Sequence, residues 1–398
     1  MSKKKYVIIG NSAAAIGAVE GIRQVDKQGE IAIITDEPHH TYSRPLISYL
    51  LQGKVTRDSM KYRPDGFYTD NNCEIIHGTA NKIEPQMKQV ILKNGERVTY
   101  EKLLVATGSR AFIPPVFEKL DNKYSFMTID DAVKLDKAIS EDSRILIIGA
   151  GLIGLKCAEG ILERVKSVTV ADIAPRILSA VLEEESAVII QTHLESKGVQ
   201  FRLSSEITDF ENYDVVVIAA GVRPNVELLQ GVAEIGRGVV VNEKSETSAT
   251  DIFAAGDCTE TVDITTGERK IMALLPNAYM QGEAAGINMS SCEKIKVFDK
   301  AIPMNAAGFF GLHVITAGSY SGEVYIKKTD ETYKKLFYSD NKLNGFILIG
   351  NVDKAGIYTS LIREKTPLDS IDFELVCERP GLMAFAKEER LIKLGEAK

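Results

Sequence analysis

The sequence predicts an α/β fold with two Rossmann-like domains and a smaller C-terminal α+β domain. Residues 6–15 and 145–154 each contain a short apolar run, a turn of small residues and then a helical pattern. In a Rossmann unit this turn brings backbone N–H groups and the positive end of a helix dipole to a pyrophosphate. After residue 299, alternating stretches such as 323–326 and 346–349 predict the strands of a third unit.

The second of the two turns carries the complete glycine pattern, with Gly149, Gly151 and Gly154. Residues 168–172 follow as a predicted strand that ends in Asp172. An acid at this place hydrogen-bonds a ribose 2′-hydroxyl and repels a 2′-phosphate, so the sequence favours NADH over NADPH. Arg176 weakens this preference, because its guanidinium is able to bind a 2′-phosphate.

The first turn is degenerate, with Gly10 followed by Ser12 and Ala15 where glycines usually stand. An apolar strand before a glycine is also common in any α/β protein. The context favours a nucleotide site, because residues 31–35 predict a second strand that ends at Asp36 and Glu37, where a ribose-binding acid belongs. Two turns indicate two dinucleotides, and the expected pair is a flavin and a nicotinamide.

Composition narrows the class of protein. The chain has 398 residues, of which 44% are hydrophobic and 26% charged, and its net charge is −7. These values predict an ordinary globular protein with two or three domains and argue against a nucleic-acid partner. No stretch reaches the roughly 20 apolar residues of a membrane span, and no secretory signal is recognisable, so we expect a cytoplasmic protein without a membrane partner.

The five cysteines are far apart in the sequence: Cys73, Cys157, Cys258, Cys292 and Cys377. None forms a CxxC or CxxxxC pair, which argues against a structural zinc site, an iron–sulfur cluster or a disulfide between neighbouring thiols. The adjacent pair His39 and His40 is a weak candidate for metal binding, and we expect no metal site.

The chain is expected to divide into a discontinuous first domain (residues 1–112 and 226–298), a second nucleotide-binding domain (113–225) and a C-terminal interface domain (299–398). Pro114 and Pro115 interrupt regular structure and mark the first crossing. Residues 214–221 predict a strand and turn that close the second domain.

Five motifs occur in a characteristic order: the turn at Gly10, residues 104–108, the glycine pattern at 149–154, residues 221–225, and residues 247–257. With them, residues 5–300 resemble the FAD-dependent pyridine nucleotide–disulfide oxidoreductase superfamily. Residues 42–45, Tyr-Ser-Arg-Pro, resemble the branch of rubredoxin reductases, ferredoxin reductases and nitrite-reductase flavin subunits.

The resemblance implies a set of cofactor contacts. Arg44 and Pro45 lie near the flavin, Asp257 accepts a hydrogen bond from the ribityl chain, and backbone N–H groups of residues 276–278 face the flavin pyrimidine, where they stabilise the anionic reduced form. By itself, Asp257 is better explained as a turn or cap residue, and it is the context of residues 247–257 that favours the flavin. The implied FAD contacts are Gly10, Ser12, Ala13, Ala14, Ala15, Asp36, Glu37, Arg44, Pro45, Ala80, Ala106, Thr107, Gly108, Arg110, Gly256, Asp257, Pro276, Asn277 and Ala278; the implied NADH contacts are Gly149, Gly151, Leu152, Ile153, Gly154, Asp172 and Gly221.

The chain departs from the pattern of its relatives in two places. It has neither the CxxxxC of disulfide reductases nor the single cysteine that peroxidases and water-forming oxidases carry near the position of Pro45, which favours direct hydride transfer from NADH to FAD. Lys156 stands where many relatives have Glu, and Tyr49 where ferredoxin reductases have the partner Lys. Lys156 is therefore either a surface helix residue or a cation near the flavin, and with Arg44 and Pro45 it is a candidate catalytic residue.

The sequence therefore predicts an FAD-dependent NADH:acceptor oxidoreductase. We expect it to pass electrons to a small iron–sulfur protein of the rubredoxin or ferredoxin type, or to a metal-containing partner subunit. The alternatives are an NADH oxidase that reduces oxygen and an NADH-sensing flavoprotein that binds partners without turnover. A homodimer and a subunit of a larger complex both remain open. Residues 309–313 are expected to form either a docking surface or part of the core or of a dimer interface.

Overall fold

The structure is a computed structural model that describes residues 4–206, 209–291, 293–387 and 390–391. Its N-terminal segment contains a parallel sheet in the order β3-β2-β1-β6, which β5 and β4 extend by antiparallel pairing. The elements are β1 (Lys4–Ile9), α1 (Ala13–Val25), β2 (Ile31–Thr35), α2 (Ile47–Leu51), α3 (Phe67–Asp70), β3 (Cys73–His77), β4 (Ala80–Glu84), β5 (Gln89–Leu92), β6 (Arg97–Val105) and β7 (Ser109–Ala111).

The second segment forms a separate five-stranded sheet, in which all strands are parallel in the order β11-β10-β9-β12-β8. Ile145, Leu146 and Ile147 of its central strand are fully buried, as expected for a strand covered on both faces. The elements are β8 (Lys123–Ser125), α4 (Ile129–Ala138), β9 (Arg144–Ile148), α5 (Leu152–Ile161), β10 (Ser167–Ala171), α6 (Glu184–Ser196), β11 (Gln200–Arg202), β12 (Val215–Ile218) and β13 (Val222–Pro224).

The chain then returns to the first sheet, where β15 pairs in parallel with β6. The helix of this segment packs closely on α1. A Cβ atom on Gly17 would lie 2.2 Å from the backbone oxygen of Tyr279, and one on Gly282 would lie 2.0 Å from the backbone oxygen of Ala14. Only glycine permits this approach. The elements are β14 (Val239–Val240), β15 (Ile252–Ala254), β16 (Thr259–Val262), β17 (Arg269–Lys270) and α7 (Leu275–Ser290).

The C-terminal segment is an antiparallel sheet in the order β18-β19-β22-β21-β20. One face shares a core with the second segment, to which it contributes Phe309 and Phe337. The opposite face packs on α8, where the rings of Phe346 and Tyr358 are 5.4 Å apart. The elements are β18 (Met304–Phe309), β19 (Leu312–Gly318), β20 (Glu323–Lys328), β21 (Tyr333–Ser339), β22 (Lys342–Ile349), α8 (Ala355–Arg363) and α9 (Phe373–Glu378).

These sheets confirm the predicted fold class of two Rossmann-like units and a smaller α+β unit. The domain boundaries remain a prediction; β7 of the first predicted domain pairs with β13 of the second. The segment 309–313 belongs to the core at Phe309, which is fully buried, so an exposed docking surface at that residue was a wrong alternative. In the described part of the chain, no helix is both long and apolar enough to cross a membrane.

Candidate functional site

A cleft lies at the carboxyl edge of the first sheet. It is bounded by the turn after β1, the end of β2, the turn after β6 and the first turn of α7. The predicted FAD residues that line it are Gly10, Ser12, Ala13, Ala14, Asp36, Glu37, Arg44, Ala106, Thr107, Gly108, Gly256, Asp257 and Ala278. Segments far apart in the sequence therefore meet at one cavity, as the resemblance implied.

The turn after β1 is shaped for a close backbone approach to a ligand. Gly10 has a φ of +110°, and a Cβ atom there would lie 2.2 Å from the Ala106 oxygen, so another residue would not fit. Ser12 is the N-cap of α1, but its side chain caps no backbone N–H group. The first-turn N–H groups of α1 thus remain available at the cleft, where they suit a pyrophosphate.

Glu37 is held in a network at the end of β2. It pairs with Arg44 and accepts a hydrogen bond from the Tyr42 hydroxyl at 2.7 Å. The Tyr42 oxygen in turn accepts the N–H of Ile129 at the start of α4, at 3.2 Å. Burial raises the pKa of Tyr42 above its usual range, so the hydroxyl keeps its proton. The network links the cleft to the second nucleotide-binding unit.

Asp257 contributes a partly buried carboxyl group to the cleft. The Ser109 hydroxyl donates to its Oδ2 at 3.1 Å. Burial raises the pKa of Asp257, while the Ser109 hydrogen bond and the nearby Arg44 charge act against this shift. Such a carboxyl group suits a ligand hydroxyl, because a donated hydrogen bond compensates its loss of water.

The first turn of α7 differs from expectation in its backbone donors. Pro276 has no N–H group, and the Ala278 N–H donates to the Leu274 oxygen at 2.9 Å. The segment 276–278 therefore offers a ligand fewer backbone donors than the sequence predicted. Leu275, the first residue of α7, lines the cleft, and the sequence analysis did not select it.

The second turn has the geometry of a nucleotide-binding loop. Gly149 has a φ of +109°, and a Cβ atom there would lie 2.2 Å from the Ala219 oxygen. A Cβ atom on Gly154 would lie 2.0 Å from the Gly149 oxygen, whereas one on Gly151 would meet nothing within 4 Å. Gly149 and Gly154 are thus required by the fold, and Gly151 leaves open the space that a pyrophosphate needs.

Asp172 lies beside this second turn, at the carboxyl end of β10. Its two carboxylate oxygens accept the N–H groups of Ala150 and Ala174, each at 2.8 Å. Arg176 donates instead to the carbonyl oxygens of Leu182 at 3.3 Å and Ser179 at 3.5 Å. The acid therefore lies next to the nucleotide turn, while the cation is held by neighbouring backbone.

Lys156 lies at the junction of α5 and the C-terminal sheet. It pairs with Glu159, donates to the Gly308 oxygen at 3.0 Å, and lies 4.5 Å from the centre of the Tyr49 ring. Lys156 and Tyr49, which stand where relatives have Glu and Lys, are thus in contact. The surface-helix alternative is wrong for Lys156, whose side chain is only 17% exposed.

Six predicted FAD residues are not among the described residues that line the cleft: Ala15, Pro45, Ala80, Arg110, Pro276 and Asn277. Arg110 is exposed and pairs with Glu227 at 2.7 Å. Asn277 is buried, and its side chain donates to the Ile302 oxygen at 3.0 Å. The cleft also includes residues that the sequence analysis did not select: Asn11, Thr35, His39, His40, Tyr42, Ser109, Met127, Ala255 and Leu275. Most of them adjoin selected residues, so proximity in sequence was an available signal.

The described cysteines have the properties of structural thiols. Cys157 and Cys258 are fully buried, and burial raises the pKa of Cys258 to about 11. Burial also raises the pKa of Cys73 to about 12. Cys292 lies outside the described residues. Within the described ranges, no group of three His, Cys, Asp or Glu residues is arranged to hold a metal ion.

Comparison with known proteins identifies the family. The pyridine nucleotide-disulphide oxidoreductase profile matches residues 4–282, and the C-terminal domain profile of rubredoxin NAD+ reductase matches residues 303–366. The chain is 30% identical over 390 residues to the NADH-dependent phenylglyoxylate dehydrogenase subunit epsilon of Aromatoleum evansii, covering 92% of each chain. It is 31% identical to the assimilatory nitrate reductase electron transfer subunit of Bacillus subtilis, over 92% of this chain but only 50% of that protein.

Among solved structures, NADH:rubredoxin oxidoreductase from Clostridium acetobutylicum is 26% identical and superposes with a TM-score of 0.78, over 93% of this chain and 98% of that one. The similarity therefore extends over both nucleotide-binding units and the C-terminal sheet. The chain belongs to the pyridine nucleotide-disulphide oxidoreductase family, whose cofactors are FAD and NAD(H).

Proposed function

We propose that this protein is an FAD-dependent NADH:acceptor oxidoreductase that passes electrons to a small iron–sulfur protein of the rubredoxin or ferredoxin type, or to a metal-containing partner subunit. The observation that carries the proposal is a cleft shaped for a dinucleotide with no cysteine among its described lining residues, together with a second nucleotide turn. The absence of a thiol there argues against a route through a cysteine couple.

The first cleft fits FAD by its own chemistry. The Gly10 turn and the start of α1 offer backbone donors to the pyrophosphate, and the partly buried Asp257 is suited to accept a hydrogen bond from a hydroxyl group. At the start of α7, the helix terminus stabilises negative charge. Bound FAD converts between the two electrons of a hydride and the single electrons that metal centres accept.

The second turn supports NADH as the electron donor. The Asp172 carboxylate is next to the glycine turn, where it suits a ribose 2′-hydroxyl and disfavours a 2′-phosphate. Arg176 donates to backbone carbonyls, so fewer of its N–H groups remain to bind a 2′-phosphate. We propose that Gly149, Gly151, Leu152, Ile153, Gly154 and Gly221 surround the rest of the nucleotide.

The three candidate catalytic residues differ in what their side chains contact. Arg44 lines the cleft and is ion-paired with Glu37, so it suits binding of the cofactor. Pro45 immediately follows it and is exposed. Lys156 forms an ion pair with Glu159, and the opposite charge of this carboxylate weakens the electric field that Lys156 exerts on a flavin.

Reoxidation rates test the choice of acceptor. The protein is reduced with NADH and mixed, in separate experiments, with rubredoxin, ferredoxin, oxygen and a quinone. We expect one of the iron–sulfur proteins to reoxidise the flavin fastest. A faster reaction with oxygen would support an NADH oxidase instead, and slow reoxidation by every acceptor would support the NADH-sensing alternative.

A further inference from the structure

One asparagine beyond the second nucleotide-binding unit is bonded to a turn of the FAD cleft. Thr107 and Gly108 form the turn between β6 and β7, and both line the cleft. Asn225, which follows β13, donates from Nδ2 to the Thr107 backbone oxygen at 2.9 Å. The Thr107 hydroxyl donates to the Asn225 backbone oxygen at 2.7 Å, and the Asn225 N–H donates to the Gly108 oxygen at 2.9 Å. Three hydrogen bonds therefore join segments that are 118 residues apart in the sequence.

The shape of this turn depends on those hydrogen bonds. Gly108 has a φ of +64°, and a Cβ atom there would meet nothing within 4 Å, so packing on that side does not hold the turn. Asn225 is not among the described residues that line the cleft, so the two carbonyl groups of the turn are directed to a residue outside it. A carbonyl oxygen carries partial negative charge, and directing it elsewhere reduces its repulsion of an anionic cofactor.

Arg110 fixes the orientation of the Asn225 amide. Its Nη1 donates to Asn225 Oδ1 at 2.7 Å, while its Nη2 pairs with Glu227 at 2.7 Å. A guanidinium group only donates, so the amide atom that it meets is the oxygen, and the amide nitrogen faces the Thr107 oxygen. The contacts thus run from Glu227 through Arg110 and Asn225 to the cleft.

We propose that Asn225 is a positioning residue for FAD, which holds the turn of Thr107 and Gly108 in the shape that binds the cofactor while Arg110 orients its amide. This inference rests on the proposed FAD function of the cleft. It gives Arg110 a part in FAD binding that needs no direct contact with the cofactor. Because Asn225 follows β13, the same contacts connect the FAD cleft to the unit that is proposed to bind NADH.

The affinity of the flavin-free full-length protein for FAD tests the proposal. Asn225→Ala should raise the dissociation constant about 3- to 30-fold, because the Thr107 oxygen loses its donor. Asn225→Asp should weaken binding at least as much, since a carboxylate of similar size is unable to donate. Asn288→Ala is the matched control. Its amide also donates to two backbone oxygens, of Lys244 at 3.0 Å and Lys296 at 2.7 Å, but at the end of α7 that is remote from the cleft. Its dissociation constant should stay within about twofold of wild type.

A double-variant cycle tests the role of Arg110. Arg110 is exposed, so Arg110→Ala should fold, and it should weaken FAD binding about 2- to 10-fold. In the Asn225→Ala background the same substitution should cause no further loss, because its effect passes through Asn225. A full additional loss would show that Arg110 contacts FAD directly.

The visible circular dichroism of the bound flavin separates positioning from stability. At saturating FAD, Asn225→Ala should alter this spectrum, whereas Asn288→Ala should match wild type even if its thermal midpoint falls. Asn225→Asp and Arg110→Ala, which keep most of the packing, carry the test if Asn225→Ala does not fold.

Three results would overturn the inference: wild-type FAD affinity and spectrum in the Asn225 variants, an equal loss of affinity in Asn288→Ala, or additive effects of Arg110→Ala and Asn225→Ala. A wild-type protein that binds FAD but is not reduced by NADH would contradict the proposed function instead. The variants would still decide the inference in that case, because they are compared by FAD binding alone.

Discussion

Replacing Lys156 by Met tests the ion pair at the junction of α5 and β18. The Glu159 side chain is 5% exposed, and its Oε1 accepts the Phe310 N–H at 2.7 Å. Met keeps much of the apolar length of Lys156 but leaves the Glu159 carboxylate without its cation. The hydrogen bond to the Gly308 oxygen is lost as well. We therefore expect the contact between the second nucleotide-binding unit and the C-terminal sheet to weaken.

The magnitude follows from the burial of the pair. Removing one partner of a buried ion pair costs about 3–5 kcal/mol. Lys156 is 17% exposed, so water relieves part of this cost and the lower end, about 3 kcal/mol, applies. For a cooperative unit of about 150–250 residues, this corresponds to a fall of about 6–12 °C in Tm. The two units share one core, so they are treated as one cooperative block.

Thermal unfolding at pH 7, followed by circular dichroism, measures the effect. Lys156→Met combined with Glu159→Gln should regain at least half of the lost stability, because Gln removes the charge and still accepts the Phe310 N–H. Lys134→Met is the control, since Lys134 is an exposed helix residue, and it should change stability by less than about 0.5 kcal/mol. A Lys156→Met protein that melts with wild type, or a double variant no better than the single one, would refute the reasoning.

Further predictions concern the cofactors and the cysteines. The purified protein should be yellow with one noncovalently bound FAD, and a folded, colourless preparation that takes up no FAD would contradict this. Gly10→Ala should abolish FAD binding, because its methyl group would meet the backbone oxygen of Ala106. Gly95→Ala, in an open turn, should not abolish it. The ratio of kcat/KM for NADH to that for NADPH should be about 5–150 and fall in Asp172→Ala, and equal wild-type values would show that a cation dominates. Lys156→Gln should lower the flavin midpoint potential, and an unchanged potential would confine this lysine to its ion pair. Each cysteine is replaced singly by Ser, at Cys73, Cys157, Cys258, Cys292 and Cys377. Every variant should keep NADH-to-dye reduction, and loss of flavin reduction in a folded variant would instead indicate a thiol mechanism.

The parts of the site that could be predicted from the sequence depend on local backbone geometry. Gly149 and Gly154 are required within a single turn, and Asp172 follows at the end of the next strand, so spacing alone locates them. The repetition of this unit also predicted two Rossmann sheets. Such features need no knowledge of distant contacts.

The remainder depends on contacts between distant segments. Lys156 meets Gly308, which is 152 residues away, so its pairing with the C-terminal sheet left no local pattern. Arg110 stays a prediction: its motif suggested the flavin, and in the structure its side chain pairs with Glu227.

Anaerobic titration with NADH, followed by addition of an oxidised iron–sulfur acceptor, tests the central claim most directly. We predict that one NADH fully bleaches the flavin absorbance of one FAD, with no further uptake. The reduced protein should then reduce two equivalents of a one-electron rubredoxin or ferredoxin. Uptake of a second NADH per FAD would reveal another redox couple, such as a dithiol, and failure of NADH to bleach the flavin would contradict the account outright.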